Sequence, residues 1–192
     1  MSRWQPDARG RLERAAMELY RERGFEQATV AEIAKRAGLT ERTFFRHFAD
    51  KREVLFWGAG ELQDFMVSAL ASAPDSAAPM EAVAAAIQGA AVLLAQRPIE
   101  YARQRRFIIA ANVELQEREL IKLASLAAAL ADTLRRRGVN EPAASLAAEA
   151  GIAVFKIAFE AWTSETSQRD FPELIRESFD ELRAVTAGTE VC

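Results

Sequence analysis

The stretch Thr29–Leu55, TVAEIAKRAGLTERTFFRHFADKREVL, leaves few options for how its part of the chain can fold. Thr29 stands three residues before Glu32. At that spacing a hydroxyl and a carboxylate each take a backbone N–H at a helix start. Val30, Ile33, Ala34 and Ala37 then form one apolar helical side. Gly38 offers the left-handed position that ends a helix, Leu39 packs inward, and Thr40 caps a second helix from Glu41 to about Phe48. In that helix Phe44 and Phe48 share a docking face, with Arg42, Thr43 and Arg46 opposite and Phe45 and His47 on the flanks. Two helices joined by a glycine turn make a helix-turn-helix, and in DNA-binding versions the second helix enters the major groove. Arginine is bidentate to guanine, glutamate accepts from cytosine, and a threonine methyl meets thymine. Glu41, Arg42 and Thr43 are therefore candidate base readers. Asp50 caps a further helix together with Glu53, and Lys51 in its first turn suits a phosphate.

Thr29-Val30, Ile33-Ala34, Ala37-Gly38-Leu39-Thr40, Thr43-Phe44-Phe45-Arg46-His47-Phe48 and Lys51 followed by Val54-Leu55 resemble the DNA-binding head of the tetracycline-repressor (TetR) family of bacterial transcriptional regulators. Many spaced elements agree, which makes the resemblance specific. It implies phosphate contacts from Thr29, His47 and Lys51, and base or groove contacts from Glu41, Arg42 and Thr43. Thr40, Phe45 and Arg46 complete the candidate DNA-binding set. The chain departs from the family at Phe45, where tyrosine is usual and its hydroxyl touches phosphate. Phe45 keeps only packing or a thymine-methyl contact.

Charge supports a DNA-facing head. Residues 1–52 carry 12 Lys and Arg against 8 Asp and Glu, whereas the chain as a whole has a net charge of −3. A basic head on an acidic body suits contact with nucleic acid at one end. Alanine and leucine dominate and β-branched runs are scarce, so the chain reads as all-α with about nine helices. The expected domains are residues 1–50, the helix-turn-helix head, and 51–192, a ligand-binding and dimerisation body.

Before the head's helices, Arg3 and Trp4 belong to a short arm, and the first helix spans about Asp7–Arg23 with Leu12, Ala15, Ala16 and Leu19 as its apolar stripe. After them, helices are expected over about 50–71, 80–96, 99–111, 114–137, 140–166 and 170–187. Arg135-Arg136-Arg137 before Gly138 reads as cations at a helix C-terminus. Residues 150–162 are apolar on nearly every side and must be covered all round. With the closing helix they suggest a dimer interface through Ile152, Phe155, Phe159, Phe179 and Leu182. Trp57, Phe65, Tyr101, Phe107, Phe155, Phe159 and Trp162 form a surplus of large apolar residues on the body helices, with Arg103 and Arg106 nearby. That make-up suits a pocket for a mostly apolar ligand with an anionic group. The run Arg106–Leu115, then Leu120–Leu134, resembles the body of a TetR subgroup associated with acyl-CoA-like ligands. Val113 stands where proline is frequent in that subgroup.

Catalysis is not expected. The single histidine, His47, lies in the recognition helix, and the single cysteine, Cys192, is the last residue. There is no glycine-rich phosphate loop after a strand, and neither a cofactor nor a metal is expected. Disulfides are excluded, no apolar leader stands at the N-terminus, and no apolar run reaches the ~20 residues of a membrane span. The expected protein is a cytoplasmic homodimer that binds double-stranded operator DNA and a small effector, with an acyl-CoA as the candidate. An enzyme is the main rival class and a helical adaptor that never touches DNA a third, and sequence-specific retention on duplex DNA separates the regulator from both.

Overall fold

The structure is a computed structural model that describes residues 7–188; Arg3, Trp4 and Cys192 lie outside the described residues. All regular structure among the described residues is helical. The elements are α1 (Ala8–Arg23), α2 (Val30–Arg36), α3 (Glu41–His47), α4 (Glu53–Phe56), α5 (Gly58–Ala71), α6 (Pro79–Ala95), α7 (Ile99–Ala110), α8 (Val113–Arg136), α9 (Ala143–Trp162) and α10 (Phe171–Ala187). The single helix expected from Asp50 to Ala71 is interrupted at Trp57 and so appears as α4 and α5. Gly58 and Gly60, poor helix formers, stand at the break. No single helix among the described residues is long and apolar enough to cross a membrane.

The chain forms two compact units, one running to Gly58 and including Gln104–Glu119, the other made of Ala59–Arg103 and the residues from Leu120 onward. In the first unit α1 buries Leu12, Ala15, Ala16 and Leu19, the stripe its sequence predicts. Asp7 caps it by accepting the Gly10 amide at 2.9 Å. Gly38 takes φ 65°, the left-handed position the turn between α2 and α3 requires. The Arg11 guanidinium lies across that turn and donates to the Ala37 and Gly38 carbonyls. The left-handed φ holds this position to glycine, since the one atom a Cβ would crowd, Arg11 Nη2 at 2.8 Å, is the end of a flexible side chain.

Residues 104–119 complete the first unit. Ile108, Ile109 and Leu115 are buried. Polar contacts fasten the segment to the head helices: Gln104 donates to the Met17 carbonyl at 2.8 Å and Arg105 to the Leu55 carbonyl at 2.7 Å. Arg105 also pairs with Glu119 at 3.0 Å and lies 5.1 Å over the Phe56 ring. Arg52 bridges Asp50 and Glu114, and Arg118 binds Glu53. Asp50 accepts the Arg52 and Glu53 amides as a cap should, and the Glu53 carboxylate binds Arg118.

In the second unit α6, α9 and α10 pack around Met66, Leu70, Val83, Ile87, Leu130, Leu134, Phe155, Phe171 and Ile175. Gly151 lets α9 approach α6 closely, since a Cβ there would lie 2.3 Å from Val83 Cγ1. The arginine run ending α8 does more than complement a helix terminus. Arg137 donates to the carbonyls of Ala71, Ala73 and Pro74 and holds the α5–α6 loop. The helix expected from Asn140 begins later, at Ala143, because residues before a proline avoid helical geometry and Pro142 follows Glu141. It ends at Trp162, where the Thr163 and Ser164 hydroxyls take the Phe159 and Ala161 carbonyls.

Candidate nucleic-acid interface

The α2–turn–α3 unit is built as its sequence requires. Thr29 and Glu32 form a complete capping box: the Glu32 amide donates to the Thr29 hydroxyl at 3.2 Å, and the Thr29 amide donates to Glu32 Oε2 at 3.1 Å. The bonds from Thr29, with help from Arg23, hold the Glu32 carboxyl below its ordinary pKa despite slight desolvation. Thr40 caps α3 by accepting the Thr43 amide at 3.2 Å. Phe44 is fully buried, with the Phe48 ring 5.4 Å away, and together they dock α3.

The outer face of α3 stands clear of the protein. Glu41, Arg42, Phe45 and Arg46 are exposed, Thr43 is half-buried, and Arg42, Thr43, Phe45 and Arg46 line one open depression. Phe45 is 55% exposed, its ring set edge-on to Phe44 at 5.5 Å. The surface thus holds guanidinium donors, a hydroxyl, a carboxylate and one apolar ring, the groups that pair with base edges and a thymine methyl.

Two expected phosphate contacts look different in the structure. The His47 Nε2 is sealed from solvent with no hydrogen-bond partner. Burial first, then the charges of Arg46 and Arg9, hold its pKa below the ordinary histidine value. Lys51, expected to hold a phosphate, has its ammonium engaged within the protein. Its ammonium donates to the carbonyls of Phe25, Glu26 and Ala28 at 2.9, 3.0 and 3.1 Å and lies 4.5 Å over the Phe25 ring. An ammonium has three hydrogens, and all three are committed. Reading Lys51 from its helix position could not show this, because the carbonyls come from 23–26 residues earlier in the chain. Arg9, over Trp57 at 5.1 Å, and Arg11, across the glycine turn, carry no sequence signal that sets them apart from the other polar residues of α1.

The residues expected to line a ligand pocket are not gathered in one unit. Trp57, Arg106 and Phe107 belong to the first, the others to the second. Phe155, Phe159 and Trp162 pack with Phe171, with Trp162 stacked on it at 4.8 Å, and this cluster is core. Arg103 donates to the Ser164 and Ser167 carbonyls at 3.0 and 2.8 Å, which fixes the loop after α9. Phe107 is 76% exposed, Phe65 lies beside Gly89, and the Arg97 guanidinium stands 5.8 Å over Tyr101. The expected dimer residues lie in or against the core of the second unit. Ile152, Phe155 and Phe179 are buried in the protomer's own core, with Phe159 and Leu182 packed against it. The opposite face of α9 is the exposed apolar one, with Leu146 65% and Ile157 61% exposed and Ala153 between them.

An all-helical chain with an exposed, arginine-bearing recognition helix on a glycine-turned pair defines a helix-turn-helix regulator. Residues 13–56 match the family described as bacterial regulatory proteins, tetR family, and residues 77–187 match the MftR C-terminal domain. The chain belongs to the TetR family of bacterial regulatory proteins. It is 36% identical over 80 residues to the HTH-type transcriptional regulator TcmR of Streptomyces glaucescens, a match spanning 42% of this chain and 35% of TcmR. The fold is that of FadR from Bacillus subtilis, solved in complex with stearoyl-CoA, with TM-score 0.64, 21% identity, and 90% and 96% of the two chains covered. It is also that of SmeT, the repressor of the Stenotrophomonas maltophilia multidrug efflux pump SmeDEF, with TM-score 0.60, 20% identity, and 92% and 89% covered.

Proposed function

We propose that this protein is a cytoplasmic transcriptional repressor that binds a palindromic operator as a homodimer and is released by a small apolar or acyl-type ligand. The observation that carries the reading is α3, docked by Phe44 and Phe48 with Arg42, Thr43, Phe45 and Arg46 turned outward in one depression. One such helix reads only a few base pairs. Two copies supply affinity and set half-sites about 34 Å apart, or a multiple of that. The outward stripe of α9, Leu146, Ala150, Ala153 and Ile157 at steps of four, three and four residues, is the pairing surface. The stearoyl-CoA held by the B. subtilis FadR of similar fold supports an acyl-CoA effector. The effector is held in the second unit, where Phe65 and Tyr101 retain exposure. It releases DNA only through its different affinity for the bound and free conformations.

The test is a gel shift with the DNA upstream of the gene, followed by titration of acyl-CoAs of graded chain length at fixed salt. Retarded complexes that dissolve with one range of chain lengths are the expected result. Failure to retain any duplex, specific or random, removes the regulator reading. Retention without release at any chain length, together with no thermal shift of the free protein, removes the acyl ligand.

A further inference from the structure

The helix-turn-helix spans residues 29–47, and the segments on either side of it meet at Lys51. The turn before α2 presents the carbonyls of Phe25, Glu26 and Ala28 to one point, and the Lys51 ammonium sits there at 2.9, 3.0 and 3.1 Å. The backbone of Lys51 is held too, because Tyr20 donates its hydroxyl to the Lys51 carbonyl at 2.7 Å. Tyr20 is buried, and its ring stands edge-on to Phe25 at 5.2 Å. Phe25 also forms the floor beneath the ammonium at 4.5 Å. Tyr20, Phe25 and Lys51 thus make one cage that ties α1, the turn before α2 and the segment after α3.

We propose that Lys51 is a positioning residue: its ammonium bolts the two ends of the helix-turn-helix together and so sets the angle at which α3 meets DNA. The inference rests on the DNA-binding reading. Left without a cation, the partly buried Phe25 and Ala28 carbonyls are unsatisfied acceptors, which destabilise the turn until water or movement satisfies them. The turn then shifts, and α2 with it. An arginine keeps the charge but replaces a compact three-donor point by a longer planar fork, which does not match three carbonyls converging on one atom.

The experiment uses the full chain and a duplex selected by the wild-type protein from random-sequence DNA, with affinity measured across a salt series. Lys51→Arg and Lys51→Met are each expected to lose about tenfold or more in affinity. The dependence of log affinity on log salt should stay as in wild type, because no phosphate contact goes. A phosphate hand behaves otherwise: Lys51→Arg then binds like wild type, and Lys51→Met lowers the slope by about 0.9 for each phosphate it no longer neutralises. That pattern overturns the proposal, as does wild-type binding by both variants. Wild type labelled with 15N-lysine gives a readout that needs no variant. The Lys51 ammonium resonance is expected to be protected from solvent exchange in free protein and unchanged in the complex. Protection that arises only on adding duplex overturns the proposal. If wild-type protein selects no duplex, the DNA-binding reading has failed instead, while protection in the free protein still reports the cage.

Discussion

Arg118, near the start of α8, donates from Nε to the Glu53 carboxylate at 2.8 Å, although the two residues lie 65 positions apart in sequence. Glu53 is the more buried partner, with its side chain 19% exposed. With Arg52–Glu114 and Arg105–Leu55 it joins residues 104–119 to the head helices in one unit. Glu53→Gln is expected to destabilise the protein by about 1 kcal/mol, the upper end for a pair screened by solvent on one side. Thermal unfolding should show a fall of about 2–4 °C. A double-mutant cycle with Arg118→Gln should give a coupling energy clear of zero, and simple additivity would show the pair to be idle.

On α3 the base readers separate by chemistry. Arg42→Ala should relax discrimination at one base pair by about 1–3 kcal/mol, measured as relative affinity for single-base operator variants. Phe45 offers an apolar ring where DNA offers an apolar group only at thymine. Replacing thymine by uracil within a half-site should weaken wild type at one position and leave Phe45→Ala indifferent there. Equal sensitivity of the two proteins at every thymine would remove Phe45 from base readout.

The two faces of α9 should respond differently. Ile157→Asp places a charge on the outward stripe and is expected to give a folded monomer in sedimentation at micromolar concentration. Ile152→Ala opens a cavity in the protomer's own core and should cost about 2–5 kcal/mol with assembly unchanged. The reverse pattern would return the interface to the inward face.

His47 sets a pH dependence of stability. Its folded-state pKa lies below the unfolded value, through burial and then the charges of Arg46 and Arg9. In the window between the two values the unfolded chain binds more protons. Stability therefore falls as pH drops through the ordinary histidine range near 6.5, and levels off below the folded pKa. His47→Gln should flatten this part of the curve of unfolding free energy against pH. An unchanged slope assigns it to other groups.

Local signals made the helix-turn-helix legible in the sequence because its determinants are local: Thr29 and Glu32 are three residues apart, Gly38 needs φ 65°, and Phe44 with Phe48 shows the docking side of α3. The residue class of the outer face was legible for the same reason. Other features were decided by tertiary structure. The apolar residues of α9 announce burial, but nothing in a helix apolar all round says which side meets its own protomer. Packing against α6 and α10 put Ile152 and Phe155 inside and left Leu146 and Ile157 out. Lys51 looks in sequence like any cation in a first helical turn. Only the folded chain brings the Phe25, Glu26 and Ala28 carbonyls to its ammonium, because an ion and its acceptors can meet across any sequence distance once the backbone between them has turned.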